Sequence, residues 1–194
     1  MTSTETRKLS RKPRILPLEP PYDAVTGEGL AKMMPPGMAP LKLFRTMAKS
    51  PALLKNLSAN GKLIFRDGSL TPLHREIVIQ RTSANCGAEY EWGVHAALFG
   101  ERVGLTGERL AATVTGDGRE ACWSEAEALL IEFVDRLHHD SAIDDGLWAR
   151  MARHWSEAQM LELAVLAGFY HSIAYVISVA RVEREAFAPE FPVS

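Results

Sequence analysis

Cysteine is scarce in this chain: Cys86 and Cys122 are the only two among 194 residues. Two thiols so far apart cannot build the disulfide framework of a small secreted fold, so a reducing, cytoplasmic setting is expected. An excess of one charge is lacking as well. Lys and Arg number 22 against 24 Asp and Glu, a formal net charge of -2. Without a basic surplus, no nucleic-acid partner is expected. The N-terminal MTSTETRKLSRKPR has no apolar run behind its charges, which argues against a secretory signal. Long hydrophobic runs reduce to LELAVLAGFYHSIAYVISVA at 161–180. Glu162 and His171 within it favour a helix buried in protein, against a neighbouring subunit if one is present, and no membrane partner is expected. Gly107, Gly116 and Gly118 have neither the spacing nor the strand context of a phosphate-binding loop, and a HExxH zinc signature does not occur.

What is present is an ordinary globular composition, 46% hydrophobic and 24% charged, enough to bury a core without staples. Residues 1–37 are expected to be a disordered tail and proline-rich arm, and residues 38–194 a single helical domain. The tail carries Arg7, Lys8, Arg11, Lys12 and Arg14 against Glu5. Pro13, Pro17, Pro20, Pro21, Pro35, Pro36 and Pro40 oppose both helix and sheet, predicting an extended arm laid on the body or on a neighbour. Beyond residue 41 the signals are helical. Ser50-Pro51 and Thr71-Pro72 each place a capping side chain before a proline in the first turn. The first opens a helix through about Phe65. Gly87 marks a break before AEYEWGVHAALFGERVG, which should end near Gly104. Thr106 caps a short helix that Gly116 and Gly118 terminate. Ser124 with Glu127, and Ser156 with Gln159, have capping-box spacing, and Asp144 starts a helix between them. The last helix is expected to run toward Phe187. Ile77-Val78-Ile79 alone fits either a buried strand or a buried helix. The fold class is all-α.

Chemistry concentrates in EIVIQRTSANCGAEYEWGVH at 76–95. On a helix, Ala88, Glu91, Trp92, His95 and Phe99 return to one face. Glu91 and His95, four apart, can touch, and a carboxylate beside an imidazole favours and orients the charged ring. That pair suits general acid/base work near neutral pH, with Trp92 and Phe99 as apolar walls. The plainer reading is a half-exposed helix pair worth a few tenths of a kcal/mol. The apolar run Ala96 to Phe99 argues instead for burial. Tyr90 and Trp92 read first as packing residues, with substrate contact as the alternative. His171 is either a satisfied core histidine or a pocket liner. His138-His139-Asp140 reads as a polar helix end, because neighbours on a helix point about 100° apart and one ion seldom takes both rings. Glu76, Glu91, His95 and His171 could hold a metal in principle, but no paired Glu-x-x-His pattern accompanies them. Neither a metal nor an organic cofactor is expected.

This stretch, together with LFRTMAKSPALLKNLSANGKLIF before it and GLTGERLAA, AEALLIEFVDRLHHDSAIDDGLW and LELAVLAGFYHSIAYVISV after it, resembles the carboxymuconolactone decarboxylase family. That family also contains the alkylhydroperoxidase D-like proteins. The resemblance spans about residues 38 to 183 and implies an alkylhydroperoxidase D-like helical bundle that assembles as a dimer, trimer or hexamer. In the peroxidase branch a glutamate precedes two redox cysteines and a histidine; anchored on His95, the matching positions here are Glu76, Ala88, Glu91 and His95. Both thiol positions are therefore taken by other residues. The decarboxylase branch, which lacks the cysteine pair, matches better. It implies decarboxylation or proton transfer on a small carboxylated lactone or related enolisable acid. His95 would be the proton shuttle, Glu91 its orienting carboxylate, Glu76 a second carboxyl, and Arg75 or Arg81 the grip on a substrate carboxylate. Alternatives are a thiol-dependent peroxidase using Cys86, and an oligomer that binds ligand without converting it.

Overall fold

A computed structural model describes residues 12–35 and 37–192, and among these every regular element is a helix. Of the basic tail expected to be disordered, residues 1–14, the first eleven lie outside the described residues, whereas Arg14 is held on the body by a backbone hydrogen bond to Ala180. In chain order the helices are α1 (Ala24–Ala31), α2 (Lys42–Met47), α3 (Pro51–Lys62), α4 (Pro72–Asn85), α5 (Glu89–His95), α6 (Glu101–Val103), α7 (Gly107–Thr115), α8 (Glu125–Asp140), α9 (Asp145–Met151) and α10 (Glu157–Ala180). Two π-helical turns interrupt them, Leu63–Asp67 after α3 and Ala96–Gly100 between α5 and α6.

The capping chemistry explains most starts. The Ser50, Thr71, Asp144 and Ser156 side chains accept from backbone N–H groups of their own first turns. Ser124 with Glu127, and Ser156 with Gln159, close complete capping boxes. Ile77, Val78 and Ile79 belong to α4, and all three are fully buried. That run is continuous because α4 is covered on all sides, by α5, α7, α8 and α10.

Two expectations need correction. Residues 14–22 of the arm carry no regular element and lie on the body, where the Arg14 and Ile15 N–H groups donate to the Ala180 carbonyl and Leu18 N–H to that of Arg45. The arm then forms α1, because its prolines cluster at both ends and leave residues 22–34 free of them. Asp23 starts the turn by accepting from Thr26 N and Thr26 Oγ1 at 2.9 and 2.7 Å. The last helix stops at Ala180, not near Phe187. Arg181 adopts the left-handed conformation (φ 52°), and Val182 N–H closes on the Ile177 carbonyl. The chain then folds back over α5. Gly93 allows this, since a Cβ there would collide with the Pro189 carbonyl.

Helix α10 is long and apolar enough to cross a membrane by composition. One face packs inward through Leu163, Leu166, Ala167, Tyr170, Ile173, Ala174 and Ile177. The other exposes a stripe of Leu161, Val165, Tyr175 and Val179.

Candidate active site

The turn at Cys86 and Gly87 folds α5 back along α4. Gly87 takes φ 63°, a value glycine adopts without a Cβ clash. Residues about equally distant from such a turn face each other, which brings Glu76 of α4 against His95 at the end of α5. Glu76 Oε2 lies 2.7 Å from His95 Nδ1, and both groups are almost fully buried. On the other ring nitrogen, Nε2 is 3.4 Å from Glu91 Oε1 and 3.1 Å from the Tyr170 hydroxyl. Three aromatic rings enclose the imidazole: Phe99 at 5.1 Å, Tyr170 edge-on at 5.3 Å, and Phe65 stacked at 6.3 Å. The Arg75 guanidinium lies over Phe65, with Nε 3.8 Å from the second Glu76 oxygen.

Burial by itself would discharge this ring. The neighbouring carboxylates, Glu76 foremost and then Glu91, outweigh it and push the His95 pKa up to about 10. His95 is therefore an imidazolium at neutral pH. Its Nδ1–H donates to Glu76, and its Nε2–H is directed toward Glu91 and Tyr170. Tyr170 is held far above its ordinary value by burial and by the two carboxylates, so its hydroxyl keeps its proton.

His95, Glu91, Phe99 and Tyr170 open onto a cavity of about 1240 Å³. Its floor comes from α5, α10 and both π-helical turns; π turns displace side chains from the regular helical register and recur at functional sites. Met33, Met34, Met38, Leu41 and Phe44, all from the segment before α3, form the roof. The lining is mainly apolar, and the exposed Arg66 and Arg102 supply cations toward its opening.

The residues singled out from the sequence divide into two sets. His95, Glu91 and Glu76 come together as one cluster. Trp92 turns away from the cavity, its Nε1–H donating to Thr113 Oγ1 and its ring meeting Phe191 edge-on. One residue along a helix is a rotation of about 100°, so Glu91 and Trp92 do not share a direction. Phe65, not Trp92, is the second wall. Tyr90 donates to Glu185 and accepts from Leu43 N–H, anchoring the C-terminal segment. Arg81 is spent on structure. Its Nε and one terminal nitrogen pair with both Asp135 oxygens at 2.6 and 2.7 Å, and the other terminal nitrogen donates to the carbonyls of Thr113 and Gly116. Asp135→Ala should strand that buried cation and cost about 3 kcal/mol, visible as a lower melting temperature.

His171 faces α8, where its Nε2 meets His138 Nδ1, and Cys86 lies beside them. None of these three lines the cavity. Burial raises the Cys86 thiol, opposite to the shift that makes a cysteine nucleophilic. Tyr170 was missed in favour of its neighbour His171. The register of α10 would have identified it, because Leu163, Leu166, Ala167, Tyr170 and Ala174 form the buried stripe and residue 171 falls outside it. Arg66 and Arg102 were missed too, since isolated surface arginines carry no pattern.

Residues 51–134 match the model of the Carboxymuconolactone decarboxylase family. No curated protein matches the chain. Among solved structures, a variant of the debrominase Bmp8 in complex with 2,3,4-tribromopyrrole is similar at 17% identity and TM-score 0.74, covering 91% of this chain and 94% of that one. An uncharacterized peroxidase-related protein from Silicibacter sp. TM1040 is similar at 18% identity and TM-score 0.73, covering 94% and 100%. A third, the alkylhydroperoxidase AhpD core of a peroxidase-related protein from Ralstonia eutropha JMP134, shares 15% identity at TM-score 0.74, covering 89% and 93%. At these identities the likeness is one of fold.

Proposed function

We propose that this chain, which belongs to the carboxymuconolactone decarboxylase family through residues 51–134, is an acid-catalysing enzyme acting on a small, largely apolar carbonyl compound that bears a carboxylate. Decarboxylation is the reaction the site suits best. The observation that carries this reading is a buried histidine held between two carboxylates and opening onto a deep apolar cavity. Loss of CO2 next to a carbonyl leaves its electron pair in an enolate or dienolate. The Tyr170 hydroxyl and His95 Nε2–H are the donors available to that developing oxyanion. His95 Nε2–H then protonates the carbon, and Glu76 keeps the ring aligned throughout. Arg66 and Arg102 would hold a second carboxylate at the opening in substrates that carry one besides the group lost as CO2. Apolar walls favour discharge of an anion into a neutral product.

A thiol-based reading fits the site less well. The described lining contains no cysteine, and its sulfur comes from Met33, Met34 and Met38. The debrominase similarity nonetheless supports a cavity able to take a small ring.

The test is a screen of carboxylated lactones and enolisable acids in D2O, reading CO2 release together with deuterium at the former carboxyl-bearing carbon. Release with labelling supports the reading. Clean binding without conversion of any member would leave a ligand-binding protein in its place.

Self-association belongs to the same reading. The Leu161, Val165, Tyr175 and Val179 stripe extends over about 27 Å of helix, at 1.5 Å per residue. Sedimentation should therefore show a homo-oligomer, and Val165→Glu with Tyr175→Glu should release the single chain. A monomeric wild type would refute it.

A further inference from the structure

Away from the cavity, three helices bring together donors that the proposed reaction does not use. Cys86 caps α4, His138 lies in the last turn of α8, and His171 lies midway along α10. Cys86 Sγ and one nitrogen from each ring all lie within 4.8 Å of one another. Each of the three is half-buried.

Two features show that this cluster is arranged. His171 Nδ1 is 3.0 Å from the Ala167 carbonyl, which can only accept, so the proton is on Nδ1 and the Nε2 lone pair faces His138 and Cys86. A backbone carbonyl fixing one nitrogen and leaving the other bare is the usual outer support of a metal-binding histidine. On the other side, Asp135 accepts from both Arg81 and Asn85, the residue before Cys86. That clamp joins the end of α4 to α8 one turn before His138 and so fixes Cys86 relative to it. Because Asp135 offsets Arg81, the clamp adds little net charge near the donors. His139, next in sequence, is exposed, and its ring stands at 83° to that of His138.

We propose that Cys86, His138 and His171 form a binding site for a borderline-soft divalent metal ion of the Zn2+ type, with one position left for water. Thiolate and imidazole donors select such ions over Mg2+ or Ca2+. Tetrahedral coordination at about 2.0 Å to nitrogen and 2.3 Å to sulfur needs the two ring nitrogens about 3.3 Å apart. They stand at 2.9 Å, so a small rotation of His138 suffices. The ion takes the thiol as thiolate and releases its proton to solvent. Bound metal would join α4, α8 and α10 at one point.

Titration of the full-length protein with Co2+ tests the site. One equivalent should bind with a near-ultraviolet thiolate-to-cobalt charge-transfer band and visible bands of four-coordinate intensity, and Zn2+ should displace it. Cys86→Ser should abolish the charge-transfer band. His138→Ala and His171→Ala should each weaken binding by at least about 100-fold, the upper end of what losing an outer-shell partner costs. His95→Ala should leave the titration unchanged, which separates this site from the catalytic reading. Helical circular dichroism of each variant controls for folding. Absence of the band in the wild type would reduce the cluster to an imidazole–imidazole hydrogen bond beside a thiol. A band that survives Cys86→Ser, or is lost with His95→Ala, would equally overturn the assignment.

Discussion

His95→Gln will lower kcat/KM by about 10²- to 10⁴-fold on a substrate found by the screen, the span attributed to a positioned general acid. The loss should fall on kcat more than on KM, because the proton is delivered in the transition state rather than in substrate binding. Glutamine fills much of the imidazole volume but cannot carry the proton. The glutamine amide can still donate to Glu76, whose other oxygen keeps the Arg75 guanidinium 3.8 Å away. The helical circular dichroism should therefore persist. Tyr170→Phe provides the comparison. It removes one donor to the oxyanion and should cost about 10²-fold, while the His95 ring remains charged. Wild-type turnover in His95→Gln would remove this histidine from the chemistry.

The second large effect is one of pH. His95 has a raised folded pKa of about 10, against about 6.5 for an unperturbed ring. Catalysis by the charged ring should hold through neutral pH and decline as pH rises through about 10. Stability follows the same sign: a raised pKa contributes fully below about 6.5, and that contribution is lost progressively as pH climbs to about 10. Glu76→Gln removes the principal upward influence and lets burial pull the other way. The alkaline limb of the pH–rate profile should move toward neutrality by more than one unit, and the pH dependence of unfolding should flatten over the same window. Nitrogen-15 spectra of labelled histidine report the ring directly. Two protonated ring nitrogens at neutral pH are expected in the wild type; a neutral His95 there would contradict the whole electrostatic account.

Local signals in the sequence marked most helix starts and the Glu91–His95 pair, but neither α1 nor the end of α10. Capping pairs such as Ser124 with Glu127 mark helix starts because they satisfy backbone donors within a few residues. Glu91 and His95 could be paired from spacing alone, for the same reason. Glu76 reached the list only through family resemblance, since its contact with His95 depends on how α4 and α5 close around Gly87. Arg81 shows the opposite failure. A cation near the motif looked like a substrate grip, yet its partner Asp135 is fifty-four residues away in sequence, and local reading has no access to such a contact. The cluster of Cys86, His138 and His171 was invisible for the same reason. His138 was set aside on the sound argument that His139 cannot join it, while its actual companions come from two other helices.

The roof over the cavity has a consequence for selectivity. Met33, Met34, Met38, Leu41 and Phe44 all precede residue 51, where the family match begins, whereas Glu76, Glu91 and His95 lie within it. Thioether side chains adapt to irregular shapes at little energetic cost. Substitutions in that leading stretch should therefore change which molecules the cavity accepts while leaving the Glu76, Glu91 and His95 cluster beneath it in place.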